Sequence, residues 1–542
     1  MNRPNPQQQV PNINPAALLP SDWDRENDIL LIVGEQASAF AQPFTRYGCK
    51  RVIAMFPNEI PPEPTIDDTV AVRSRQELGD AIMLYPGKHP RRFAMIRTPR
   101  CSVSTTVTNE INQVLSHSVS MRRANQGVVQ DLAPLWAQNG LKNLPHVASN
   151  PLVNDVGDSL AGVPMIVVGA GPSLERNIEV LREAKGRAVI VCVNRALRSM
   201  QNAGVEPDIA INVEPQDVAC QFEGIDIHTL KALVLCATSH PPLYTLNTPN
   251  ILSFVGNQEA DGWMLPEPVE LVPAAGSVSC SAVSLGLLWK CNPIVLVGQD
   301  LSFAGGAYYH ADGADGDTRA VYDEATGLWQ LEGHSEELRN TVKERTRDGI
   351  IRFQAAKVPG FYGGMVDTSL DFANFRMWFQ HTATDNPSTT FFNCTEGGAH
   401  IDGMQHSRLM DVVRTLEPMT VELDEIFNSP QVQANVSRRE RAMKMRGQEI
   451  RRGIQRAIRQ AQKCVSIIDE AARNPSALHR LSKAESDLKK TTRRMTVLAL
   501  MNQQTILEVM ERAKSASTMA DSLAASRALY QFIVDDGKRL LS

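Results

Sequence analysis

Several features that would settle a protein's class at once are missing from this chain. No run approaches ~18 uninterrupted apolar residues, so a membrane-spanning helix is not expected. There is no strong charge of either sign. The 55 Lys and Arg stand against 60 Asp and Glu, a formal −5, which gives no general pull toward nucleic acid or a membrane surface. None of the nine cysteines forms a C-x-x-C pair, which disfavours a zinc knuckle or a disulfide framework. Cys192 lies inside an apolar run and reads as a buried thiol, in keeping with a reducing compartment. The N-terminal stretch MNRPNPQQQVPNINPAALLP is rich in Pro, Asn and Gln and has no long apolar region. It reads as a disordered tail over residues 1–24 rather than a signal peptide, so a cytoplasmic location is the expectation.

What is present is globular: 542 residues, 43% hydrophobic and 21% charged, enough for two to four domains. Short apolar runs ending in glycine or polar residues alternate with helical stretches from Ile29 to about residue 100. This β–turn–α–β rhythm predicts a small Rossmann-like α/β domain over 25–150, with residues 105–145 a helical connector. A stronger α/β unit opens at Val163. Strands are predicted at 165–168, 188–193, 208–213, 232–236 and 293–298, with helices over 175–184 and 279–289. Near-continuous apolar strands of this kind predict a parallel, doubly wound sheet covered on both faces, over 151–410. From 411 to 542 the chain turns to Arg, Lys, Ala, Leu, Met and Gln, and helices are expected over 436–470, 476–514 and 517–540. Residues 436–460 hold nine Arg or Lys against two Glu. That excess is either a solvated helix face or a docking surface for an acidic partner.

Five segments carry candidate chemistry. Gly169-Ala170-Gly171-Pro172-Ser173-Leu174 follows a strand and opens a helix, where glycines let a ligand approach and helix amides favour an anion. It lacks the third glycine of a dinucleotide fingerprint and the lysine of a P-loop, which disfavours hydride-transfer and NTPase sites. Asn194-Arg195 and Asn212-Val213-Glu214-Pro215 end two further strands, where ligands of doubly wound sheets gather. Asn can read a base or ribose, and Glu214 a hydroxyl, although both residue types also simply terminate strands. Gly298-Gln299-Asp300 leads into Tyr308-Tyr309-His310, and Asn393 to His400, containing Glu396-Gly397, is a turn-rich segment that either closes over a ligand or is an ordinary loop.

Taken together, GAGPSL (169–174), PDIAINVEPQD (207–217), the segment 274–303, YHADG (309–313), 363–379 and NCTEGGAHIDG (393–403) resemble the motility-associated factor family of flagellin glycosyltransferases. The resemblance covers about residues 150–405. That core is shared with archaeal 6-hydroxymethylpterin diphosphokinases and is similar in fold to bacterial sialyltransferases using CMP-sialic acid. The sialyltransferase pattern implies a CMP site at Gly169, Ala170, Gly171, Pro172, Ser173, Asn194, Gly276, Ser277, Gln299 and Asp300, and Asn212, Glu214, Glu396 and Gly397 are expected to join it from their strand end and turn-rich segment. Ala170 departs from it, standing where those enzymes carry Asn. Asn212-Val213-Glu214-Pro215 stands where the pterin enzymes have an acidic pattern that would hold Mg²⁺ beside ATP, which argues against pyrophosphoryl transfer.

The implied reaction moves a nonulosonic acid, pseudaminic or legionaminic in type, from its CMP ester to Ser or Thr of flagellin, in support of motility. The implied partners are flagellin and the nucleotide sugar, with no nucleic acid and no membrane; no cofactor beyond the CMP-sugar co-substrate is implied. Backbone amides near GAGPS and tyrosine hydroxyls, Tyr309 among them, are expected to stabilise the growing phosphate charge. His310 is the candidate base, since an imidazole titrates near neutrality.

Overall fold

The structure is a computed structural model describing residues 13–55, 69–72, 77–78, 81–82, 92–99, 101, 103–256, 261–273, 275–309, 317–333, 350–471, 473–492, 497–498, 509 and 518–541. The chain divides into two compact units, Met1–Val129 and Gln130–Ser542.

In the first unit, strands β1 (Ile29–Val33), β2 (Val52–Met55), β3 (Thr69–Val72) and β4 (Phe93–Arg97) form a parallel sheet of order β3-β2-β1-β4. All five β1 side chains are buried, as the unbroken Ile-Leu-Leu-Ile-Val run requires of a strand covered on both faces. The helix Ala37–Arg46 packs Ala37, Ala41 and Phe44 into this core. The expected disordered tail ends earlier than residue 24. Asn14 caps a helical turn at Pro15–Leu18, and Leu19 and Trp23 are buried in the same core as β1 and β2. Two large apolar side chains outweigh the polar composition that made the segment read as disordered.

The second unit begins within the helix Thr105–Ser149. Its strands in chain order are β5 (Met165–Val168), β6 (Val189–Val193), β7 (Ile209–Asn212), β8 (Ala232–Cys236), β9 (Ile251–Phe254), β10 (Ile294–Val297), β11 (Arg319–Asp323), β12 (Leu328–Glu332), β13 (Arg352–Pro359), β14 (Met365–Ser369), β15 (Phe391–Asn393) and β16 (Gln405–His406). Eight of them make an all-parallel sheet of order β16-β15-β10-β5-β6-β7-β8-β9. The order reverses between β5 and β10, the position where open α/β sheets bind ligands. The doubly wound α/β expectation is met at every central strand. The helix Val278–Leu288 packs against β5, β6 and β7, eight of its residues buried.

The expected helix over 175–184 is instead two single turns, Leu174–Asn177 and Leu181–Ala184. Between them Val180, Leu181 and Arg182 donate to carbonyls three residues back, and Asn177 Nδ2 bonds the Cys394 and Thr395 carbonyls at 3.0 and 3.2 Å. Tying Asn177 to the end of β15 replaces the regular helix with tighter turns. A four-stranded antiparallel sheet, β11-β12-β13-β14, also went unpredicted. Its strands are largely solvent-facing and carry little apolar alternation, so no period-2 signal marks them.

The C-terminal region is helical as expected where it is described, with helices Pro430–Ala471, Leu481–Thr492 and Met519–Leu541; of the expected helix over 476–514, residues 493–496, 499–508 and 510–514 lie outside the described residues. The first begins six residues before its expected start. Pro430 occupies the first turn and Ser429 Oγ accepts from Val432 N–H at 3.4 Å, an N-terminal signature that the charge pattern obscured. The long helix also braces the α/β sheet. Arg439 bonds Asp155 at 2.8 Å and the Asn150 carbonyl at 2.8 Å, and Arg446 bonds the Trp263 carbonyl. Arg439 therefore belongs to a part-buried pair rather than to a solvated basic face. Gly537 allows Met519–Leu541 to cross closely, since a Cβ there would sit 2.7 Å from Ile458.

Candidate active site

The loops after β5 and β10 meet at the switch point. Gly169 N–H donates to the Val297 carbonyl at 2.8 Å, and Gly171 N–H to the Gly298 carbonyl at 3.0 Å. Gly298 has φ +67°, a conformation that costs a side-chain-bearing residue, and an added Cβ would lie 2.5 Å from the Gly169 carbonyl oxygen. A Cβ on Gly169 would strike the Gln299 amide and one on Gly171 the Asp300 carboxylate, at 2.2 and 2.1 Å. The two glycines of GAGPSL are thus explained first by this loop-to-loop contact, and not by approach of a ligand.

Asp300 fixes the turn further. Its carboxylate accepts Ser173 N–H at 3.2 Å and Ser173 Oγ–H at 2.7 Å. Leu174 N–H donates to the Gly171 carbonyl. The amides of residues 169, 171, 173 and 174 therefore all donate within the protein, and Pro172 has none. This narrows the expectation that amides near GAGPS neutralise phosphate charge: four of the turn's amides are engaged within the protein, which leaves that of Ala170, at the cleft wall, for the role. The helical turn that follows, Leu174–Asn177, is also too short to carry a useful dipole.

Around these loops lies a cleft of about 230 Å³, walled by Ala170, Gly171, Val193 to Arg195, Glu214, Gly276 to Ser279, Gly298 to Ser302, Tyr308, Tyr309, Phe372 and Phe375. Drug-sized ligands occupy pockets of roughly 300–1,000 Å³, so a nucleotide sugar would fill this cleft and extend past its mouth. Three non-glycine residues with left-handed backbone flank it: Ala275 (φ 44°), Leu301 (φ 50°) and Glu396 (φ 53°). Each such residue costs of order 1–3 kcal/mol, and strain of this kind gathers at functional sites.

Each wall has an identifiable support. Asn194, at the end of β6, donates from Nδ2 to Gln221 Oε1. Glu214 is presented by the loop after β7, where Asn212 Oδ1 accepts Glu214 N–H at 3.0 Å and Asn139 Nδ2 holds the Pro215 carbonyl at 2.7 Å. Gln299 Nε2 bonds Ser279 Oγ at 2.6 Å, joining the β10 loop to the helix Val278–Leu288. The aromatic wall is seated by the antiparallel insertion. Tyr308 stacks near Phe353 and Phe372 with ring centroids 6.0 and 5.5 Å away, while Phe303 packs on Trp329 at 4.8 Å. The Arg195 guanidinium lies 5.0 Å from the centre of the Tyr309 ring. Burial pushes the Asp300 carboxyl up to about 6, against the lowering effect of its Ser173 hydrogen bonds and the Arg176 charge. Burial likewise holds the Tyr308 phenol well above its ordinary value.

Residues 138–306 match the family described as 6-hydroxymethylpterin diphosphokinase MptE-like. The match runs from the last turns of the helix Thr105–Ser149 through β10 and its loop, and so takes in the cleft's GAGPSL, Asn194, Glu214, Gly276 and Asp300 positions. An uncharacterized protein of Treponema pallidum (strain Nichols) is 27% identical over 145 residues, 27% of this chain and 67% of that protein. The solved Maf glycosyltransferase from Magnetospirillum magneticum AMB-1 aligns with a TM-score of 0.49 at 15% identity, covering 95% of this chain and 78% of that one.

Of the residues singled out from sequence, the second unit brings Ala170, Gly171, Asn194, Glu214, Gly276, Ser277, Gln299, Asp300 and Tyr309 to the cleft wall. Gly169, Pro172, Ser173, Asn212, Glu396 and Gly397 stand outside it. Ser173 and Asn212 work as hydrogen-bonding supports of Asp300 and Glu214. Glu396 Oε1 accepts Leu409 N–H at 2.9 Å and so caps the helical turn Leu409–Val413, and Gly397 packs near Ser173. His310 lies outside the described residues. Sequence reasoning missed Asn139, Asn143, Phe372 and Phe375. The two asparagines, at i and i+4 on one helix face, anchor the loops after β7 and β8, and that polar pair within an otherwise apolar face was the available signal.

Proposed function

We propose that the cleft binds a cytidine nucleotide sugar and that the protein is a glycosyltransferase. In this reading it moves a nonulosonic acid of pseudaminic or legionaminic type from its CMP ester to Ser or Thr of flagellin, in support of flagellar assembly. The observation that carries the reading is the meeting of four segments at one switch point: the GAG turn, Asn194, Gly276-Ser277 and Gln299-Asp300. They occur in the chain order that the sequence resemblance to CMP-using sialyltransferases implies. Asn194 and Glu214 have the hydrogen-bonding chemistry to read a base edge or ribose hydroxyl. The aromatic wall of Tyr308, Tyr309, Phe372 and Phe375 offers faces for base or sugar.

The chemistry asks mainly for positioning. As the glycosidic bond to CMP breaks, the sugar becomes oxocarbenium-like and negative charge grows on the departing phosphate. Tyr309 is near enough to the cleft to act on that charge, and His310, the next residue in sequence, is the proposed acceptor of the hydroxyl proton. The test is CMP release from a CMP-nonulosonate by the purified protein, with and without flagellin. Release that depends on flagellin supports the reading, and absence of any turnover counts against it.

The MptE-like match favours one rival, pyrophosphoryl transfer from ATP to a hydroxymethylpterin. Its cleft carboxylates would be Glu214 and Asp300, and Asp300 is already bonded to Ser173. Mg²⁺-dependent consumption of ATP with the pterin would establish that rival. A non-catalytic flagellin-handling protein would bind flagellin and turn over neither donor.

A further inference from the structure

We propose that the Ser302 hydroxyl is a ligand-binding donor of the cleft, and that it meets an anionic oxygen of the ligand, on the phosphate or on the carboxylate of the sugar. The inference rests on the reading that the cleft takes a nucleotide sugar, but not on which base that nucleotide carries.

Ser302 lines the cleft two residues beyond Asp300 and is 2% exposed. Its Oγ makes no hydrogen bond within the protein. Among the described residues of the cleft wall, it is the buried side-chain oxygen or nitrogen left without a partner. Neighbouring hydroxyls are engaged: Ser279 Oγ accepts from Gln299 Nε2, and Ser173 Oγ–H donates to Asp300. Buried hydroxyls in folded proteins nearly always find a partner, so an orphan in a cleft wall points to one from outside the chain.

The backbone around this orphan is held on both sides. The Leu301 carbonyl accepts Thr368 Oγ1–H at 2.7 Å, and Phe303 N–H donates to the Asp367 carbonyl at 2.9 Å, so β14 clamps both neighbours. Leu301 itself has a φ of 50°, one of the strained positions beside the cleft. The same short loop thus does two things. Asp300 locks it to the turn after β5, and Ser302 is left for the ligand.

The donors nearby decide what that ligand group is. Ser302 N–H has no acceptor in the protein, and neither has Ala170 N–H on the facing loop, also at the cleft wall. Amides only donate, so the group that meets them is an acceptor oxygen. Hydrogen bonds to an ionised oxygen are roughly twice as strong as those between neutral groups. In a CMP-nonulosonate, the phosphate and the sugar carboxylate carry such oxygens.

The experiment pairs calorimetry with thermal melts of the wild type, Ser302→Ala and Ser302→Cys. The probes are CMP against cytidine, ATP against adenosine, and free N-acetylneuraminate. The Ala variant should melt at or above the wild-type temperature, because an unpaired buried hydroxyl contributes no bond to the fold. It should nevertheless weaken one anionic probe at least about tenfold, with cytidine unchanged. Loss on CMP assigns the phosphate, and loss on N-acetylneuraminate assigns the carboxylate. Ser302→Cys, of similar size but a weaker donor, should fall between wild type and Ala, and it serves if the Ala variant does not fold. If ATP binds and CMP does not, the cytidine reading fails, and Ser302 is then judged on ATP against adenosine. The inference is overturned if Ser302→Ala keeps its affinity for every anionic probe, or if nucleoside and nucleotide lose equally. It is also overturned if the Ala variant folds but melts well below wild type, or if the wild type binds none of the anionic probes at millimolar concentration.

Discussion

The carboxylate of Asp300 holds Ser173 twice, through the backbone N–H at 3.2 Å and the hydroxyl at 2.7 Å, and so locks the loop after β10 to the loop after β5. The lock explains why the glycine turn is preorganised without a ligand. It also places a buried acid at the centre of the cleft.

That acid predicts a pH effect. Burial raises Asp300 to about 6 in the folded chain, against an ordinary value of about 3.9 when unfolded. Between these values the folded state holds the extra proton. The group's contribution is therefore complete below about pH 4 and is lost as pH climbs through about 6, a change of up to about 3 kcal/mol. Melts of the wild type and Asp300→Asn across that range should show wild-type stability falling relative to the variant as pH rises. A constant difference would contradict the assignment.

Gly171→Ala should destabilise the protein with no ligand present. The added methyl would meet Asp300 Oδ2 at 2.1 Å and the Gly298 carbonyl oxygen at 2.7 Å. Overpacking of that order costs about 1–3 kcal/mol and would lower the melting temperature. A variant as stable as wild type that only loses ligand affinity would return the glycine to a ligand-contact role.

The basic helix separates into two roles. Arg439 and Asp155 are a part-buried pair, so Arg439→Ala should cost roughly 1–3 kcal/mol in a denaturant titration. Arg438, Arg451 and Arg452 are exposed, and their joint reversal to Glu should leave circular dichroism and melting nearly unchanged. If the exposed face recruits an acidic acceptor, the same reversal slows flagellin modification and removes its salt dependence. Modification that proceeds as before would make the face solvated surface.

His310→Ala should lower transfer at least about tenfold while leaving CMP affinity nearly unchanged, because a base acts only on the transition state. Single-turnover rates beside calorimetry would separate the two effects. An unaltered rate would remove His310 from the mechanism. His400, stacked on His406 with ring centroids 3.9 Å apart, would then be the next imidazole to test.

The parallel sheet was legible because β5, β6, β8 and β10 are unbroken apolar runs and β7 is one up to Asn212, and every one is fully buried. β15 and β16 were not, since three and two residues give no period to read. At the site, strand ends pointed to Asn194, Glu214 and Gln299, which line the cleft, because ligands of open α/β sheets gather at the carboxyl ends of strands. Which residues face the cleft and which support it was hidden. Ser173 and Asp300 look equally polar in sequence, and only their mutual hydrogen bonds make one a wall and the other a prop. Phe372 and Phe375 were hidden too, since they reach the cleft from a helix about 70 residues further along the chain.

The most direct test of the central claim is calorimetric titration of the purified protein with CMP, CDP, ATP and NAD. The account predicts that CMP binds, that it is preferred over ATP and NAD, and that Glu214→Gln and Asn194→Ala weaken it. Tight binding of ATP or NAD with no binding of CMP would contradict it.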